Sequence, residues 1–133
     1  MEILAFRDAA QWEAWLAEHC ATRADAWLKI AKKGAGLVSV TPGEALDVAL
    51  CYGWIDSQRR SHDGSSFLQR YSPRRRGSPW SQVNVERAEA LIAAGRMRAP
   101  GLAEVEAARA DGRWEGAYER QRTATVPADL TAA

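Results

Sequence analysis

An α+β domain is what this chain predicts: a small, mainly antiparallel sheet packed against several helices. Three observations carry that expectation. Strand-like and helix-like segments follow in the order β-α-β-α-β-β-α-α, without the repeated βαβ units of a doubly wound parallel sheet. Two of the strand-like segments are joined through Asp63-Gly64, a strong hairpin signal. The chain has 133 residues, 47% hydrophobic and 26% charged, enough for one real core. A single domain over residues 1–133 is therefore expected.

The elements follow in order. Ile3 to Phe6 reads as a short strand. Asp8 then caps a helix whose apolar face is Trp12, Trp15, Leu16 and His19, at i, i+3, i+4 and i+7. Ala26 to Ala31 alternates Trp27 and Lys29 with Leu28 and Ile30, as a strand does, and Gly34-Ala35-Gly36 turns the chain. Thr41-Pro42-Gly43-Glu44 combines a Thr cap, Pro at the first helical position and Glu three residues after the cap. The helix it opens buries Leu46, Ala49 and Leu50 and ends near Gly53.

Trp54 to Arg60 and Phe67 to Tyr71 then form the hairpin across His62-Asp63-Gly64-Ser65. By strand alternation Trp54, Asp56 and Gln58 share one face, with Ile55 and Ser57 on the other. On the second strand Phe67, Gln69 and Tyr71 oppose Leu68 and Arg70. Pro73 to Pro79 is an Arg-rich loop, and Ser78 or Ser81 caps the next helix, with Val83, Arg87, Ala90, Leu91 and Ala94 as its stripe and Gly95 as its end. Pro100-Gly101 opens another helix through Ala110, closed by Gly112. Trp114 to Arg122 adds a turn or two, and Val126 to Leu130 resembles the start of a further element.

Charge narrows the function classes. The net charge is +1, but between Trp54 and Trp80 six arginines face two aspartates, a local excess of four positive charges. Such a patch suits an anion, an acidic partner or a membrane surface, whereas a dedicated nucleic-acid binder is basic throughout. No stretch approaches the roughly 18 apolar residues of a membrane span, and Met1 to Phe6 is too short for a signal peptide. Cys20 and Cys51 have no CxxC or Cys/His metal spacing and read as reduced thiols of a cytoplasmic protein. Cys51 sits toward a helix C-terminus, where the dipole raises its pKa, so it is a poor nucleophile. His19 reads as a core or rim histidine and His62 as part of a turn. No metal and no cofactor is expected.

The segment from Ala49 to Asn84 carries the candidate site. Six tryptophans are many for one domain, and Trp54, Tyr71 and Trp80 offer apolar walls or stacking surfaces. Arg70 and Arg74 offer bidentate contacts to an anion, Lys32 or Lys33 a further cation, Asp56 an orienting carboxylate and Asn84 a polar contact at the rim. If Asp56 is buried it needs a cation, and Arg70, Arg74 or Lys32 are the available partners. A structural salt bridge fixing the hairpin is the alternative role for that carboxylate.

At these residues the chain resembles the YdeI/OmpD-associated (bacteriocin-protection) family of bacterial proteins. The resemblance rests on Trp27 with Lys32-Lys33, Glu44 to Asp56, Arg70 to Arg74 and Ser78 to Asn84. It continues through Leu91, Gly95-Arg96-Met97, Gly101-Leu102, Ala110 to Trp114, Ala117-Tyr118 and Pro127 to Leu130. It implies a link to tolerance of bacteriocins or cationic antimicrobial peptides. Members of that family often continue into a Lys/Arg-rich helical region, which is expected to be absent or reduced here, where the sequence stops at Thr131-Ala132-Ala133.

The function expected is non-catalytic binding of an anionic or aromatic small molecule or peptide by Lys32, Lys33, Trp54, Asp56, Arg70, Tyr71, Arg74, Trp80 and Asn84. Two alternatives belong to other classes. One is an enzyme with Asp56 as acid or base beside Lys32 and Arg70. The other, less favoured, is nucleic-acid binding through the patch from Arg59 to Arg76.

Overall fold

Capping side chains set the starts of the first three helices. A computed structural model describes residues 2–117. In it Asp8 accepts the Gln11 amide (3.0 Å) at the start of α1 (Ala9–His19). Thr41 and Glu44 exchange side-chain-to-backbone bonds of 3.2 and 3.0 Å, a full capping box opening α2 (Pro42–Cys51). Ser81, not Ser78, accepts the Asn84 amide (3.1 Å) and opens α3 (Gln82–Ala93). α4 (Ala99–Ala110) begins with Pro100 in its first turn, and the chain is helical again over 113–117. The turns expected beyond residue 117 and the Val126 to Leu130 segment lie outside the described residues.

The strands are β1 (Ile3–Leu4), β2 (Ala26–Ala31), β3 (Trp54–Ser61) and β4 (Ser66–Pro73), in the sheet order β1-β2-β4-β3. β1 runs parallel to β2, and the other two pairings are antiparallel. The fold is α+β, as its element order predicts. β1 is shorter than expected: Phe6 has left the ladder, its carbonyl accepting the Val40 amide (3.1 Å) and its ring lying 5.6 Å from that of Trp12.

One sheet face carries the core. Leu28 and Ile30 are fully buried there, and Tyr71, beside them on β4, meets Trp12 of α1 at 5.5 Å. α2 lies alongside α1, where its Ala45 carbonyl accepts the Trp12 indole N–H (3.0 Å). Its buried residues are Ala45, Val48, Ala49, Leu50 and Cys51, with Leu46 only half-buried. α3 and α4 pack on α2 in turn. Asp47 of α2 pairs with Arg87 of α3 at 2.8 Å.

Gly101 of α4 rests on the end of α2 so closely that a Cβ there would clash with the Cys51 carbonyl oxygen and lie 2.6 Å from that of Leu50. On the other face of the sheet, Trp27 and Leu68 are buried under polar neighbours. Arg60 stacks 5.1 Å above the Trp27 ring, and Arg70 holds Asp25 at 2.9 Å.

Two face assignments read from the sequence are corrected. α3 buries Val85, Ala88 and Leu91, while Val83 is 61% exposed and Ala90 is exposed. The helix is rotated relative to the expected stripe, because an Ala-rich helix offers several apolar lines of similar weight and the neighbour α2 selects one. On β3, Asp56 pairs with Tyr71 but Arg59, not Gln58, pairs with Gln69. This β-bulge adds one residue to β3 and reverses its alternation beyond Asp56.

Candidate functional site

The hairpin distributes the expected site residues instead of gathering them. Trp54 and Tyr71 are each 1% exposed and belong to the core. Trp54 meets Trp12 and Trp15 edge-on at 6.4 and 6.2 Å and donates its indole N–H to the Cys20 carbonyl (3.3 Å). Burial, helped by the Asp56 charge, pushes the Tyr71 phenol well above its usual range. These two rings are structural, and the described clefts are built from other residues.

Arg70, next to Tyr71 in the strand, points to the opposite face. There its Nε donates to Asp25 (2.9 Å) and its Nη1 to Ser57 (3.3 Å). Asp56 is exposed and makes no ion pair among the described residues, so it has no need of the buried counter-ion considered from the sequence. Lys32 and Lys33 follow the far end of β2 and line a cleft of their own. Asp56, Lys32 and Arg70 therefore do not converge as an acid/base constellation. The six arginines of the basic segment are equally dispersed. Arg59 lies over Phe67, Arg60 over Trp27, Arg70 on Asp25, Arg74 is buried, and Arg75 and Arg76 are exposed in the loop.

Three expected residues do come together. Arg74, Trp80 and Asn84 line a cleft of about 310 Å³ with Ile55, Ser78, Pro79 and Ser81. The guanidinium of Arg74 lies 3.9 Å from the Trp80 ring centroid, and one Nη donates to the Pro79 carbonyl at 2.7 Å. Its Nε is buried with no hydrogen-bond partner among the described residues, and the residue is only 8% exposed. Burial lowers its pKa to about 10; Glu104 pulls it back up and Arg113 pushes it further down, both through space. The cleft opens at the N-terminus of α3, whose backbone dipole adds positive potential. Chemically, this is a buried cation stacked on a core indole and short of one acceptor among the described residues.

Supporting residues were not legible as such. Arg113 donates to the Ser78 carbonyl (2.6 Å) and fastens the Arg-rich loop from outside, while its Nε holds Asp111 (2.7 Å). Trp114 meets Trp80 edge-on at 5.0 Å and carries Arg109 at 5.1 Å. The Asp111-Gly112-Arg113-Trp114 run was the available signal, but only tertiary packing brings it to the loop. Cys51 is buried with a pKa pushed up to about 11, chiefly by desolvation rather than by its place at a helix end. Among the described residues no helix is long and apolar enough to cross a membrane, and no three His, Cys, Asp or Glu side chains gather as a metal site would need.

Residues 4–104 match the model of a family described as a domain of unknown function, DUF8412, and the chain belongs to that family. No curated protein and no solved structure matches the chain.

Proposed function

We propose that this DUF8412 member is a non-catalytic, cytoplasmic binding protein, and that the cleft of Arg74, Trp80 and Asn84 takes a small anionic ligand such as a carboxylate. The single observation that carries the reading is the buried Arg74 Nε, which has no acceptor among the described residues. A guanidinium withdrawn from water gains from a carboxylate or phosphate oxygen what an exposed one does not. Trp80, 2% exposed with its ring under the Arg74 guanidinium, backs the cation, and Asn84 lines the cleft and can offer a neutral hydrogen bond. The free thiols Cys20 and Cys51 agree with a reducing compartment. The motif resemblance to the bacteriocin-protection family supplies the biological setting: binding would contribute to tolerance of cationic antimicrobial peptides.

The test is an NMR titration with benzoate at constant ionic strength. Saturable shifts are expected at the Arg74 Nε–H, the Trp80 indole and the Asn84 amide. Arg74→Lys keeps the charge but loses the planar fork, and should weaken binding about tenfold, the value of one charge-assisted hydrogen bond. Absence of saturable shifts at these groups, or unchanged affinity in Arg74→Lys, removes the proposal. A strain lacking the protein should be rescued against antimicrobial peptides by the wild type and not by Arg74→Lys.

A further inference from the structure

The largest of the described clefts, about 500 Å³, lies at the other end of the hairpin and is lined by Lys32, Lys33 and Arg59 with Phe67, Leu37 and Pro42 among its walls. We propose that it is a second, independent binding site, for an anion carrying a diphosphate group.

Three features support it. First, the lining includes three cations and no acid, and none of the three forms an ion pair among the described residues. Like charges brought together on a folded surface repel, and a multiply charged anion relieves that repulsion.

Second, Arg59 is held in place before any ligand arrives. The β-bulge turns it onto the face of Phe67 and Gln69, where its guanidinium sits 4.2 Å over the Phe67 ring and its Nε donates to Gln69 Oε1 (3.0 Å). Gln69 is itself 4% exposed and its amide nitrogen is bonded to the Gln58 and Arg70 carbonyls, so the acceptor is fixed. Among the described residues, that leaves both Nη groups of Arg59 for a ligand.

Third, the lysine loop is tied at both ends. The Lys32 amide donates to the Ser65 carbonyl (2.8 Å), and Ser39 Oγ accepts the Ala31 amide (2.9 Å). The helix end nearby is not the source of the site: the capping box already occupies the Thr41 and Glu44 amides, and Glu44 is outside the lining.

The probes are inorganic pyrophosphate and a nucleoside diphosphate, each titrated by calorimetry and by amide NMR at matched ionic strength. Binding should be saturable, tighter than for orthophosphate, and should shift Lys32, Lys33 and Arg59 while leaving Arg74 and Asn84 in place. Lys32→Ala and Arg59→Ala should each weaken pyrophosphate about tenfold. Lys32 is exposed, so its variant keeps the fold whatever Arg59→Ala does to the Gln69 contact. Equal affinity for both probes assigns recognition to the diphosphate alone; tighter nucleoside binding adds a ring packed on the Arg59 guanidinium. No saturable binding at matched ionic strength, shifts at Arg74 instead, or unchanged affinity in Lys32→Ala overturns the proposal. Benzoate binding to Arg74 stands or falls separately.

Discussion

Arg74 and Cys51 are both ionisable groups taken out of water, and burial opposes the charged form of each. It therefore lowers the guanidinium to about 10 and raises the thiol to about 11. The two respond oppositely to alkali. For Cys51 the native state keeps its proton after the unfolded chain, with a pKa near 9.0, has released it. Its contribution is fully present below pH 9 and is lost as pH rises toward 11, about 1 kcal/mol being gone near pH 10. Arg74 has the reverse sign: above pH 10 the native state gives up its proton first, so stability from this group rises there. Between pH 9 and 10 the thiol acts nearly alone, before the raised tyrosines Tyr52 and Tyr71 add to its effect. Urea unfolding across that interval should show stability falling in the wild type and a flatter profile in Cys51→Ala. An identical slope in both proteins would mean that the thiol does not titrate with folding.

Elements whose boundaries depend on local chemistry were legible in the sequence. The Asp8 and Thr41 caps, the Asp63-Gly64 turn and the Gly112 helix end all act within a few residues, and the structure has each where the sequence places it; of the two serines offered for α3, it takes Ser81. What was not legible depends on partners distant in sequence. The phase of α3 is chosen by α2, and the bulge in β3 is visible only against β4. The same distance effect scattered the candidate site. Alternation sends Arg70 and Tyr71 to opposite faces, so nearness in sequence along a strand separated what a loop, at Arg74 and Trp80, kept together.

The α2–α4 junction is another feature set by partners. The sequence marks Gly101 only as part of a helix start, yet the contact with α2 requires it. Gly101→Ala should cost about 1–3 kcal/mol, since the added methyl meets backbone oxygens that cannot rotate away. Urea midpoints at constant m-value would measure this; a loss of only a few tenths would show that α4 slides freely on α2.

At the scale of the molecule, five of the six tryptophans divide between two clusters, and Trp27 stands apart on the other sheet face. Phe6, Trp12, Trp15, Trp54 and Tyr71 join the sheet to α1, with ring separations of 5.5 to 6.4 Å. Trp80 and Trp114 form the other cluster, where the Arg-rich loop meets the helical residues 113–117 and where the Arg74 cleft is built. No ring contact links the two clusters among the described residues. The loop that carries the site is therefore stapled by Arg113 and Trp114, while the first cluster holds the sheet. A double-mutant cycle separates these roles. Trp12→Leu and Trp54→Leu share an edge-on contact and should show a coupling of about 0.5–1.5 kcal/mol. Trp12→Leu and Trp114→Leu share none and should add within about 0.5 kcal/mol. Benzoate affinity should follow the same division, falling in Trp114→Leu as Trp80 and the Arg74 stacked on it shift, and holding in Trp12→Leu as long as the chain is folded. Strong coupling between Trp12 and Trp114 would instead mean one continuous core, in which the cleft has no more independence than any other part of the fold.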